Sequence, residues 1–208
     1  MEKTRLENLS DGVFAIVLTL LIIEIKVPEF HQVTVTNWDL WWALWDITPL
    51  FVSYYLSFIV LTMFWLSHHA LYGLIAKNIN RIMILLNFFY LCMIAFIPFS
   101  SHLIGTYPQH ELAFIIYGLN VLAIGAANLA LLKYAVFSHE IDTSHVTPRI
   151  FKQAVFRLTL TPLFTLIGIS IVFISISWAL FFFAFPIFFN IIPGALNYLE
   201  KKLHFSLD

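Results

Sequence analysis

Arg5, Ser10 and Asp11 stand at the head of an apolar run in RLENLSDGVFAIVLTLLII, and two adjacent histidines, His68 and His69, close another in FWLSHHALYG. A carboxylate and imidazoles at the edge of apolar segments are the groups of a proton or ion site. The same groups also make an interhelical clamp, because an ionisable side chain in such a segment needs a partner or a water-filled cavity. Metal chemistry fits poorly: adjacent histidines point about 100° apart on a helix and cannot share one metal as an i, i+4 pair does. HEIDTSH, from His139 to His145, lacks the HExxH spacing of zinc proteases. Ser10 has no base and orienter beside it, and no glycine-rich phosphate loop occurs, so the pattern points away from an enzyme.

The elements that position these groups follow from composition. Of 208 residues, 61% are hydrophobic and 11% charged, with 22 Phe and a mean hydropathy of +0.88. A soluble domain carries about 25% charged residues, so this is an integral membrane protein. No polar stretch is long enough for a soluble domain, and one membrane domain over residues 1–208 is the economical reading. The net charge of -1 offers no basic face to nucleic acid. The single cysteine, Cys92, lies inside an apolar segment and says nothing about redox compartment. Glu24, Lys26 and Pro28 follow the first apolar run where a signal peptide would have small residues, so the first helix is expected to stay in the mature chain.

A membrane crossing needs about 20 apolar residues. Six segments qualify, predicting an all-α bundle with helices over about 8–27, 47–67, 82–99, 112–132, 151–174 and 178–196. The last two come from one uncharged stretch, Leu158 to Pro193, too long for a single crossing at about 1.5 Å per residue. A turn near Ser175 to Ser177 divides it, with Pro186 a rival break. Thr159, Thr161 and Pro162 are expected to kink the fifth helix and satisfy its freed carbonyls locally. With both termini cytoplasmic, Lys26 is the only Lys or Arg outside, which the positive-inside rule favours. Trp38, Trp41, Trp42 and Trp45, in the outer first loop, are expected to anchor in lipid headgroups.

On a wheel of about 100° per residue with Ile16 at zero, Gly12, Thr19, Leu20 and Ile23 gather within about 60° of it. Ser10 falls near about +120° and Asp11 near about -140°, away from that stripe. Trp65, His68 and His69 end the second helix on the side where the first begins, and Asn87 lies near the start of the third. Ser10, Asp11, both histidines and Asn87 are therefore expected to form one polar cluster within a subunit. Arg5 falls near the Ile16 stripe on the wheel, but is expected to turn toward Asp11. A proton-coupled secondary transporter using Asp11 and His68 or His69 is the alternative, and the absence of a repeat between the two halves weighs against it.

Arg5, then Leu9, Ser10 and Asp11, resemble the RxxxFSD signature that opens the first helix in the transmembrane protein 175 family of potassium channels, with Leu9 in place of phenylalanine. FWLSHH, containing Trp65 and the histidine pair, and IPFSS closing the third helix also resemble the bacterial members. The resemblance implies a homotetramer in the cell membrane, with the first helix of each six-helix subunit lining a central pore. It implies permeant potassium and no cofactor. The family lacks the TVGYG filter loop, and so does this sequence. The family's constriction maps onto Ile16, with further pore positions on Leu20 and Ile23, and its threonine linked to potassium preference maps onto Thr19. The resemblance thus implies a leak channel with modest preference for potassium over sodium, gated by dewetting at apolar rings. It also allows proton permeation, which no residue here is assigned to carry.

Overall fold

The structure, a computed structural model, describes residues 2–30 and 34–191. The chain is almost entirely helical: α1 (Lys3–Ile23), α2 (Asn37–Asp46), α3 (Thr48–Ala70), α4 (Arg81–Ala95), α5 (Ile97–Thr106), α6 (Glu111–Phe137), α7 (Pro148–Ile171) and α8 (Ile176–Ile191). Among the described residues, five stretches are long and apolar enough to cross a membrane: Lys3–Ile23, Thr48–Ile75, Arg81–Thr106, Glu111–Phe137 and Pro148–Ile171. Ile176–Pro186 is a shorter apolar helix. The expected end of the sixth helix at 196 lies outside the described residues.

Several boundaries differ from expectation, each for a local reason. The first helix stops at Ile23, with Ile25 N–H turning back to Ile22 O at 3.1 Å. Val27 precedes Pro28, and a residue before proline is pushed out of the helical region. The first long loop contains a helix of its own, α2, begun by a reciprocal cap: Thr36 Oγ1 accepts from Asp39 N–H at 3.2 Å, and Thr36 N–H donates to Asp39 Oδ2 at 2.9 Å. Hydrogen bonds from the Thr36 side chain and amide hold the Asp39 carboxyl below its ordinary value. All four tryptophans, Trp38, Trp41, Trp42 and Trp45, ride on α2, exposed.

The third apolar segment does not end at Phe99. It breaks at Phe96 and restarts as α5, which runs to Thr106. Pro98 lacks an N–H and is tolerated in the first turn of a helix, so the IPFSS motif expected to close the third helix opens α5 instead. The second segment overruns its expected end through a π-turn, Leu71–Ile75, sealed by Ala76 N–H to Leu71 O at 2.9 Å. The turn between α7 and α8 falls at Val172 to Ser175, and Pro186 stays inside α8. Pro162 stays inside α7, where the Thr159 hydroxyl returns to the Val155 and Phe156 carbonyls.

Helices meet where small residues let backbones approach, as membrane packing favours. A Cβ on Gly125 of α6 would lie 2.6 Å from Pro162 Cγ of α7, and one on Gly118 would lie 2.6 Å from Ile169 Cγ1. At one end of the bundle the α3–α4 and α6–α7 connections are stitched together. Lys77 Nζ lies 3.4 Å from Asp142 Oδ2, and Asn78 exchanges hydrogen bonds with Glu140 O and Asp142 N–H at 2.8 and 2.6 Å. The Asp142 carboxyl is drawn down to about 2, first by hydrogen bonds from the Ser144 hydroxyl and amide and then by Lys77.

Candidate functional site

The site is built on α1, whose two faces have opposite fates. Leu6, Ser10, Phe14, Val17 and Leu21 are buried, at spacings of four, four, three and four that keep them on one face. Ser10 is the polar member of that stripe, and its burial is compensated by a chain of bonds. Its hydroxyl donates to Leu6 O at 2.9 Å and accepts from Asn87 Nδ2 of α4 at 3.1 Å. Asn87 Oδ1 in turn accepts from His68 Nε2 of α3 at 2.7 Å and from the Tyr72 hydroxyl at 3.3 Å.

The donor directions are forced. The Ser10 proton is committed to the Leu6 carbonyl, so Asn87 must offer its amide hydrogen to Ser10 and its oxygen to His68. His68 therefore carries a proton on Nε2. His68, Asn87 and Ser10 are all buried, and Tyr90 stacks on the imidazole with ring centroids 5.3 Å apart at 7°. Tyr90 also donates to Phe64 O at 3.1 Å. Tyr72 and Tyr90 are absent from the sequence reading. Spacing could have found them, since Tyr72 follows His68 by four residues and Tyr90 follows Asn87 by three, each on the same helical face.

Asp11 does not join this network. Its exposed carboxylate accepts the Trp65 indole N–H at 2.8 Å, and His69 stacks on the Trp65 ring at 5.6 Å and 26°. Adjacent residues on a helix diverge by about 100°, so Ser10 reaches the interior while Asp11 reaches the flank of α3. The expected single cluster is two: Ser10–Asn87–His68–Tyr72 within, and Asp11–Trp65–His69 outside. Arg5 does not turn toward Asp11 either; it is exposed and unpaired among the described residues, on the Ile16 side as the wheel has it. An Asp11–His68 or Asp11–His69 proton relay has no direct hydrogen bond here, and the indole between them donates its N–H without accepting.

The opposite face of α1 is uncovered within the chain. Ile16 is 60% exposed, Ile23 66% and Leu20 41%, and Thr19 is exposed among them. Leu9 lies exposed toward the foot of the helix. The Thr19 hydroxyl donates back to its own helix, to Ile16 O at 2.8 Å and Ala15 O at 3.0 Å. With the hydrogen turned inward, the oxygen lone pairs remain for a group approaching from outside. Among the described residues, no three His, Cys, Asp or Glu side chains gather to hold a metal ion.

These features define a helical multi-span membrane protein whose first helix is fastened along one face and bare along the other. A family model described as "Endosomal/lysosomal potassium channel TMEM175" matches residues 5–98, from Arg5 through the start of α5. A potassium channel of Streptomyces collinus is 32% identical over 72% of this chain and 70% of its own length. One from a Chryseobacterium species is 29% identical over 98% of both chains. The crystal structure of a lysosomal potassium-selective channel TMEM175 homologue from Chamaesiphon minutus superposes with a TM-score of 0.75 at 28% identity, covering 90% of this chain and 96% of that one. The human endosomal/lysosomal proton channel TMEM175 is 34% identical over 54% of this chain and 23% of its own length. The chain belongs to the TMEM175 family, a family of ion channels and not of enzymes, served by permeant ions without a cofactor.

Proposed function

We propose that the chain forms a homotetrameric, potassium-permeable leak channel in the cell membrane, with α1 of each six-helix subunit lining the pore. The observation that carries this reading is the bare stripe on α1. Ile16, Thr19, Leu20 and Ile23 are left exposed by a subunit that buries the opposite face of the same helix. The names of the bacterial relatives support potassium as the permeant ion.

Four Ile16 side chains form the narrow ring, with Leu20 and Ile23 forming wider rings beyond it. Such a constriction gates by dewetting, so a small dilation restores a conducting water column. Thr19 is the selectivity residue. Four hydroxyl oxygens whose hydrogens point into their own helices present only acceptors to a cation and replace part of its hydration. That arrangement gives a milder preference for potassium over sodium than a carbonyl-lined filter. Both termini lie on the cytoplasmic side, supported by the crowding of Lys77, Lys133, Arg149 and Lys152 at the end of the bundle where α1 begins. α8 completes a sixth crossing.

Single-channel recording in planar bilayers tests the reading. Unitary currents far above about 10³ ions per second identify a pore, whereas slow saturable flux without unitary events refutes it. Replacing Ile16 with Asn is expected to raise unitary conductance. Unchanged conductance in a normally assembled Ile16→Asn protein would move the constriction elsewhere. Reversal potentials under a pH gradient in the same recordings report whether protons permeate.

A further inference from the structure

Among the described residues, Arg157 lies farther from a helix end than any other lysine or arginine. It lies nine residues beyond Pro148, the first residue of α7, and so about 13 Å along that helix. It is exposed, and it has neither a hydrogen bond nor an ion pair among the described residues. A guanidinium inside an apolar segment costs several kcal/mol by insertion measurements unless something compensates it. Lys77, by comparison, lies in a loop and is paired to Asp142.

What lies beside Arg157 is a cavity of about 260 Å³ between α3, α7 and α8. Its walls are almost wholly apolar, with Phe64, Leu158 and Phe183 among them, and among the described residues Arg157 is the one charged residue that lines it. Ala154, Arg157, Leu158 and Thr161 all border this space, at the three- and four-residue spacing of one helical face. The site therefore offers a cation and a hydroxyl next to a slot shaped for hydrocarbon. Phe183 comes from α8, so an occupant of the slot would bridge α3 to the last described helix.

We propose that this cavity binds an anionic glycerophospholipid from the leaflet at the cation-rich end of the bundle. Its phosphate pairs with Arg157, and one acyl chain enters the slot between α3 and α8. Charge complementarity selects this occupant: a guanidinium binds a phosphate bidentately, and the apolar walls supply the second half of the recognition. A free phosphate ion would leave the apolar slot unfilled, and an uncharged lipid would leave the guanidinium uncompensated.

The test is native mass spectrometry of the detergent-solubilised full chain titrated with phosphatidylglycerol. Wild type is expected to retain the lipid, and Arg157→Gln to weaken retention about tenfold, the scale of losing a charge-assisted hydrogen bond. Arg157→Lys restores part of it. Ala154→Trp, which fills the slot while keeping the guanidinium, is also expected to lose the lipid. Lys133→Gln, with an exposed cation outside the cavity, is expected to retain it. Inorganic phosphate is expected not to compete. Equal loss in Lys133→Gln and Arg157→Gln would reduce the effect to general surface charge and overturn the proposal. So would unaltered retention in Arg157→Gln, or displacement by phosphate alone. Thermal unfolding of each variant confirms that it is folded, and Arg157→Lys, which changes least, keeps the test decisive if Ala154→Trp is not.

Discussion

Replacing Asn87 with Leu keeps nearly the same volume and removes the hub of the buried network. Three hydrogen bonds go: from His68 at 2.7 Å, from Tyr72 at 3.3 Å and to Ser10 at 3.1 Å. Ser10 keeps its bond to Leu6 O, so it loses only a donor partner. His68 Nε2–H and the Tyr72 hydroxyl lose their acceptor, and both residues are buried. Two orphaned buried donors cost about 1–3 kcal/mol each. Hydrogen bonds between membrane helices average about 0.6 kcal/mol and reach about 1.7, so three of them set a floor near about 2 kcal/mol. The expected destabilisation is about 2–5 kcal/mol. Ser10→Ala removes two bonds, the one from Asn87 and the local one back to Leu6 O of its own helix, and is expected to cost about 1 kcal/mol. Steric-trap unfolding in bicelles measures both. In the Asn87→Leu background, Ser10→Ala should cost less, because the bond from Asn87 is already gone and only the local bond to Leu6 O remains to be lost. The reasoning fails if Asn87→Leu lies within about 0.5 kcal/mol of wild type, or if it is less damaging than Ser10→Ala.

Gly125→Ala places a methyl 2.6 Å from Pro162 Cγ, a ring atom with no rotamer to yield, and is expected to destabilise the bundle by about 1–3 kcal/mol in the same unfolding assay. Gly12→Ala, with nothing within 4 Å inside the subunit, is the contrast: it is expected to leave unfolding unchanged or to stabilise α1 by about 0.5–1 kcal/mol. Asp142 gives a pH prediction. Its carboxyl value is depressed to about 2, so its contribution to the stitched loops is fully present above the ordinary value of 3.8 and is lost as pH falls through about 2. Exchange of the Ser144 amide is expected to stay slow at pH 4 and to accelerate below pH 2, and Asp142→Ala should abolish that step.

The sequence made the spans legible because apolar length is a strong signal, and it placed the turn between the last two helices within a few residues of Val172 to Ser175. It was weaker where one residue type serves two purposes. IPFSS reads as the close of the third helix, yet Pro98 within it begins α5, because proline is well placed in a helix's first turn. Thr36 and Asp39 carry the spacing of a capping box, a signal overlooked among tryptophans that looked like a plain interfacial loop. In the site, counting crossings was enough to bring Ser10, His68 and Asn87 to one level of the membrane. It could not decide partners, because adjacent side chains diverge: Ser10 and Asp11 meet different neighbours, and so do His68 and His69. Looking for a titratable partner also led away from Trp65, whose indole satisfies the carboxylate without any charge.

The polar ties of α1 to its neighbours, through Ser10 and Asp11, all lie in its first half. Beyond them, among the described residues, the helix is held through Phe14, Val17 and Leu21, by contacts that have no direction. Such a helix resembles a cantilever, fixed by directional bonds at its foot and by apolar packing alone toward its tip. A tilt of about 5° about Ser10 displaces Ile16 by about 0.8 Å and Ile23 by about 1.7 Å, from lever arms of about 9 and 20 Å. One small rotation therefore moves the far residues about twice as much as the near one, and in the channel proposed above that leverage would set the order in which the apolar levels open.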